Sequence, residues 1–211
     1  MASYFNSRFA AALLLLGFFA GVFAATLVPG NAPLFQLALG QAQPLQQNSP
    51  NPVHYLNSSD GSAGNSVQAI FSPGADAAVL AEIASANSTL DIMLYQFSYG
   101  EYKQALARAV QKGVRARIIL EPRVDSNIET AKFLLANGVS AKWATKNYTN
   151  THSKTMVVDA RRVLVGSINW SRHAAKTNRE SGVVVDDAAL AADFESVFEE
   201  DWAKATEVKP A

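Results

Sequence analysis

The chain has no cysteine. That excludes disulfides, cysteine-ligated zinc and thiol nucleophiles. Histidine is scarce: His54, His152 and His173 are the only imidazoles, and they are not at metal-ligand spacing. No metal and no other cofactor is therefore expected. Net charge is also missing, because 18 Lys and Arg balance 18 Asp and Glu. The chain as a whole is not a polycation made for nucleic acid. No internal repeat is visible. Hydrophobic residues make up 49% of the sequence, ample for one core in a chain of 211 residues.

The balanced charges are unevenly spread. Lys142, Lys146, Lys154, Arg161, Arg162, Arg172, Lys176 and Arg179 are opposed only by Asp159 within their stretch. Asp186, Asp187, Asp193, Glu195, Glu199, Glu200 and Asp201 follow. A basic segment next to an acidic one fits an anionic substrate, either a nucleic acid or a phospholipid headgroup.

Three regions succeed one another. Residues 1–29 contain an uncharged run from Phe9 to Val28, preceded by Arg8. About twenty apolar residues cross a ~30 Å hydrocarbon core as a helix, which favours a single-pass anchor. Small residues near Val22-Phe23-Ala24 leave a cleaved signal peptide, and hence a secreted protein, as the alternative. Arg8 as the nearest charge places the following domain outside the cytoplasm. Residues 30–66 are rich in Pro, Gln, Asn, Ser and Gly and poor in charge, which predicts a flexible linker. His54 falls in it and carries no motif.

Residues 67–205 read as the folded domain. Strands are predicted over Val67–Phe71, Thr89–Phe97, Val114–Leu120, Val139–Ala144 and Glu180–Val185. Helices are predicted over Ala75–Ala86, Glu101–Gln111, Ile128–Asn137 and Ala188–Trp202. The last should turn Leu190, Phe194, Val197, Phe198 and Trp202 to the core. Strands alternating with helices, and then a hairpin, predict an α/β fold: a mixed sheet flanked by helices.

The chemistry concentrates in Thr151–Ser171, THSKTMVVDARRVLVGSINWS. Met156–Val158 and Val163–Val165 are β-branched-rich and read as a hairpin. With Ala160 and Arg161 as a two-residue loop, Asp159 faces Arg162, Lys154 pairs with Ser167, and His152 pairs with Asn169. Residues two apart in a strand share a face. His152, Lys154, Ser167 and Asn169 should then meet at the open end of the hairpin, where their groups suit an oxyanion. Asp159 lies on the other face and reads as structural, holding the turn.

This spacing, H-x-K-x4-D-x6-G-S-x-N, resembles the HKD signature of the phospholipase D superfamily, with Gly166 at its glycine. Leu90–Phe97, Val114–Leu120 and Asn178–Val185 look like further elements of single-signature members. Those include small bacterial and archaeal endonucleases and proteins like mitochondrial cardiolipin hydrolase. The resemblance implies a phospholipase D-like sandwich and hydrolysis of phosphodiesters. In that family two signatures build one site, so a single copy implies a homodimer with a shared site. One His152 would attack phosphorus and the other would protonate the leaving oxygen. Lys154, Ser167 and Asn169 would bind the phosphoryl oxygens. Glu180 matches the family's downstream Glu and is the candidate acceptor for the second imidazole nitrogen. Trp170 either lines the substrate groove or packs under the hairpin, and His173 sits at the surface or the groove rim. The apolar N-terminus and neutral charge favour phospholipid. The chain size and the basic segment favour a nuclease. An inactive scaffold should have lost His152 or Lys154, and both are present.

Overall fold

The structure, a computed structural model, describes residues 54–56 and 66–209. Its elements run β1 (His54–Leu56), β2 (Ser66–Phe71), α1 (Ala75–Ser85), β3 (Thr89–Leu94), α2 (Gly100–Gln111), β4 (Arg115–Leu120) and α3 (Ser126–Ala136). They continue with β5 (Ser140–Trp143), β6 (Lys154–Val158), β7 (Arg162–Gly166), α4 (Arg172–Lys176), β8 (Ser181–Asp186), α5 (Ala188–Lys204) and β9 (Thr206–Glu207). Among the described residues the strands form one sheet, ordered β1-β2-β8-β7-β6-β3-β4-β5-β9. The β3-β4 and β4-β5 pairs are parallel and the other six are antiparallel. The expected mixed sheet flanked by helices is what forms.

Period-two alternation decides which helix each strand residue meets. Leu90, Ile92 and Leu94 of β3, Ile118 and Leu120 of β4, Met156 and Val158 of β6 and Leu164 of β7 face one way. They bury against Val79 and Ile83 of α1, Tyr102 and Leu106 of α2, and Leu134 of α3. The intervening residues face α5: Met93 and Ile119 pack with Phe198, and Val157 and Val163 with Ala191. The central strands are thus covered on both faces and read as nearly continuous apolar runs. Gly113 (φ +96°) and Gly138 (φ +80°) end α2 and α3 in the left-handed conformation that glycine adopts without steric cost. The Asp187 side chain caps α5, accepting from the N–H groups of Ala189 and Leu190.

Several expectations change. β3 stops at Leu94, short of the expected Phe97, because Asn127 takes over the backbone groups beyond it. Its Nδ2 donates to the Tyr95 carbonyl, and its Oδ1 accepts from the Phe97 N–H. Val197, expected in the core, is 58% exposed, since α5 meets the sheet along a stripe centred on Ala191 and Phe198. The helix α4 was not foreseen. β1 pairs with β2 inside the stretch expected as linker, and β9 extends past residue 205. The run Phe9–Val28, expected as an apolar helix, and most of the expected linker lie outside the described residues. Among the described residues no helix is long and apolar enough to cross a membrane.

An ionic cluster lies between the sheet and α5. Arg117 donates through Nε to Asp91 (2.6 Å) and through Nη2 to Glu199 (2.6 Å), and its guanidinium packs on the Phe198 ring. Burial, reinforced by repulsion from the Asp91 carboxylate, pushes the Glu195 carboxyl up to about 7. A carboxyl raised on folding keeps its proton in the folded chain while the unfolded chain has lost it. Stability should therefore fall as pH rises from about 4.5 to about 7, by on the order of 2 kcal/mol from this group once solvent screening of a partly exposed carboxyl is allowed for. Urea midpoints of wild type and Glu195→Gln between pH 5 and 8 check this. The variant should lose that slope and be the more stable protein at pH 8.

Candidate active site

The functional end of the sheet is where β6 begins and β7 and β3 end. β6 is held at both ends. At the far end the Asp159 carboxylate accepts from the backbone N–H groups of Asn87, Ser88 and Thr89, at 2.7 to 3.1 Å. Burial opposes its ionisation, but these bonds outweigh it and hold the group below the usual carboxylate range. Asp159 therefore ties the hairpin to the α1–β3 connection and lies away from the site.

At the near end Glu121 does the same work. Fully buried, it accepts from the Thr151 N–H (2.7 Å) and from the N–H and Nη1 of Arg123 (3.0 and 2.8 Å). Burial again works against the anion, and the Thr151 and Arg123 donors overcome it, so its pKa is lowered. Arg123 Nη2 also donates to the Tyr148 carbonyl (3.2 Å). The loop leading into His152 is thus anchored to the end of β4. Neither Glu121 nor Arg123 was singled out from sequence. The available signal was a carboxylate directly after the apolar run of β4, closely followed by Arg123.

The hairpin register differs from the one expected. Val158 pairs with Arg162 and Thr155 with Val165, so the loop is Asp159-Ala160-Arg161. Asp159 and Ala160 both have positive φ (53° and 50°), the turn closing with the Arg161 N–H on the Val158 carbonyl. Asp159 holds the left-handed conformation because its carboxylate is fixed by the distant N–H groups of Asn87, Ser88 and Thr89. Continued one step, this register sets Gly166, not Ser167, opposite Lys154, so the expected pairings of Lys154 with Ser167 and His152 with Asn169 do not occur. A Cβ on Gly166 would lie 2.5 Å from the Cα of Gly182, and closer still to the Ser181 carbonyl. Glycine is required there so that β7 and β8 can approach.

His152, Lys154, Glu180 and Ser167 nevertheless come together, by a different route. His152 is exposed; Lys154 is buried on the face of Met156 and Val158, at the rim of the helix-side core. Lys154 Nζ lies 3.1 Å from Nδ1 and 3.2 Å from Nε2 of His152, and donates to the His152 carbonyl at 2.9 Å. Near-equal distances to both nitrogens put the ammonium over the ring. Tyr95 closes the corner, 4.4 Å from the imidazole centroid and 5.0 Å from Nζ. Burial lowers the Lys154 pKa, and the nearby Glu180 charge partly restores it. Glu180 accepts from Ser167 Oγ at 2.5 Å and from Asn178 Nδ2 at 3.1 Å. Within one chain, then, Glu180 is engaged by Ser167 and Asn178 and has no bond to His152, contrary to expectation. Asn169 is half-buried, and its Oδ1 has no partner among the described residues. Trp170 is 1% exposed, edge-on to Phe97 and Tyr102, so packing and not groove lining is its role. His173 is exposed and contacts Thr177 Oγ1 (3.2 Å).

An exposed imidazole beside a buried ammonium, with a carboxylate and a hydroxyl close by, suits attack on a bound phosphate. Residues 79–202 match the family model described as cardiolipin synthase, PLD-like domain. The chain belongs to this phospholipase D-like family. It is 31% identical over 122 residues to a mitochondrial cardiolipin hydrolase of Chlamydomonas reinhardtii, covering 57% of this chain and 54% of that protein. It is 27% identical to a phospholipase D of Rickettsia prowazekii, covering 67% and 70% respectively. The structure of Nuc, a phospholipase D family member from Salmonella typhimurium, superposes with a TM-score of 0.66 at 27% identity, over 69% of this chain and 99% of that one. The chain spans about half the length of the cardiolipin hydrolases it matches.

Two substitutions check this geometry. Gly166→Ala should cost about 2–4 kcal/mol in urea unfolding, because the clash is with backbone and neither strand can yield without breaking the ladder. Glu121→Gln replaces an acceptor with a donor beside Arg123. It should lower kcat about tenfold with KM nearly unchanged, since it loosens His152 without touching substrate.

Proposed function

We propose that the chain is a phosphodiester hydrolase acting on phospholipids through His152. The observation that favours lipid over nucleic acid is the fate of the basic run. Lys142 pairs with Glu207, Arg161 with Asp186, Arg162 with Glu82 and Lys176 with Asp76. Half of the eight cations counted between Lys142 and Arg179 are therefore spent on carboxylates of this same chain. A surface that tracks a polyanion needs many free cations; a single headgroup phosphate needs only Lys154 and its neighbours. The apolar run Phe9–Val28 supports the same reading, as a membrane attachment that keeps the domain at its substrate outside the cytoplasm.

The mechanism requires two imidazoles, and each chain offers one beside Lys154. We therefore place the site at the axis of a homodimer. A nitrogen of one His152 attacks phosphorus. The bond to the leaving alcohol breaks, and that oxygen takes a proton from the other His152. The second imidazole, now neutral, takes a proton from water as its oxygen attacks phosphorus and the P–N bond breaks. The products are an alcohol and a phosphate monoester. Lys154 of each chain, with Asn169 and Ser167, stabilises the charge that builds on the phosphoryl oxygens. Glu180 contributes by orienting Ser167 and by its field at Lys154.

Incubation of the full chain with cardiolipin and phosphatidylcholine vesicles, and in parallel with single-stranded DNA and RNA, tests the substrate. Release of phosphatidic acid is expected; cleavage of nucleic acid alone would make the chain a nuclease. His152→Asn should abolish turnover by several orders of magnitude while leaving the fold intact. On mixing with wild type, activity should fall roughly as the square of the wild-type fraction. A linear fall after verified subunit exchange would mean that each subunit works alone.

A further inference from the structure

A second groove opens behind the wall that positions His152. Its volume is about 790 Å³. Pro122 on its wall follows Glu121, which anchors Thr151, and Lys146 on its wall belongs to the loop that Arg123 ties down. The floor is apolar: Ile128, Trp143, Ala144 and Val208 line it, and Ile128 remains 43% exposed. The rim is cationic, with Lys132, Lys146, Lys204 and Lys209 against one carboxylate, Glu207, which is itself paired with Lys142. Lys132 and Lys204 are paired with Glu129 and Glu200 on their own helices. Lys146 and Lys209 have no carboxylate partner among the described residues.

An apolar trough with unneutralised ammonium groups at its edge fits an anion that carries a hydrocarbon chain. A neutral apolar ligand would leave the two cations unused, and a compact anion would leave the trough empty. We propose that this groove binds an anionic phospholipid, its acyl chain over Trp143 and Ile128 and its phosphate on Lys146 and Lys209. This deepens the phospholipid reading of the active site and takes the occupant's class from it. The groove is reached across the Glu121–Arg123 wall, so a bound lipid would bear on the loop that carries His152.

The test uses the full chain with His152→Asn, so that no probe is turned over. Dibutanoyl and dihexanoyl phosphatidic acid, both below their micelle concentrations, and inorganic phosphate are titrated by calorimetry. Each buried methylene should tighten binding about three- to fourfold, so dihexanoyl should exceed dibutanoyl by at least about tenfold. Lys146→Glu combined with Lys209→Glu should weaken dihexanoyl phosphatidic acid by about tenfold, and inorganic phosphate, which has the charge contact but no chain, should bind more weakly than either lipid and lose its groove binding in the same variant. Ile128→Ser should reduce the chain-length dependence while sparing the charge dependence. Equal affinity for the two chain lengths, or indifference to the double charge reversal, overturns the proposal. So does a single-stranded oligonucleotide that binds more tightly and is lost in the same variant. Vesicle hydrolysis by the wild-type chain separates this from the active-site reading. Lipid bound in the groove without turnover sinks the phospholipase, and turnover with no groove binding sinks the groove.

Discussion

The site depends on how β6 is clamped. Two buried or half-buried carboxylates hold the stretch from Thr151 to Asp159, one at each end, and both do it through backbone N–H groups. Asp159 takes three from the α1–β3 connection, and Glu121 takes one from Thr151 and one from Arg123. Charge-assisted bonds to backbone are short, and costly to break once water is excluded. Between the clamps β6 pairs with β3 on one side and β7 on the other, so a slip by one residue would turn Met156 and Val158 out of the core. His152 and Lys154 inherit their positions from that lock.

This explains why a polar site can sit at the rim of an apolar sheet. Lys154 shares its face with Met156 and Val158, so its stem is buried with the core. Burial depresses its pKa, and the Glu180 charge works against that. Glu180 is in turn held by Ser167, on the strand end beyond Gly166. The close approach of β7 and β8 at Gly166 and Gly182 therefore matters to the chemistry, because the Ser167–Glu180 contact spans the same two strands.

The basic run illustrates how composition misleads when partners are distant. Arg162 and Glu82 are 80 residues apart, and Lys176 and Asp76 are 100 apart, yet each pair is within hydrogen-bond distance. Counted along the chain, the segment from Lys142 to Arg179 looks like a cationic surface. Folded, half of its charge is directed at neighbouring elements, and the free cations that remain include Lys146, one of the two unpaired lysines on the rim of the lysine-edged groove.

From sequence alone one could read the alternation of strands and helices, the mixed sheet, the signature from His152 to Asn169 and the structural nature of Asp159. These are local matters: period-two and period-3.6 patterns and fixed spacings survive without knowledge of distant partners. The tertiary structure decided the rest. Hairpin register was set by a loop in which Asp159 and Ala160 adopt positive φ, a conformation affordable only because Asp159 finds its acceptor role 70 residues upstream. Glu121 and Arg123 became part of the site only when β4 came to lie two strands from β6. Val197 turned outward because helix orientation depends on which stripe the sheet accepts, and Glu180 turned to Ser167 because β8 lies beside β7. Each of these is a long-range contact, and residue spacing along the chain carries no term for it.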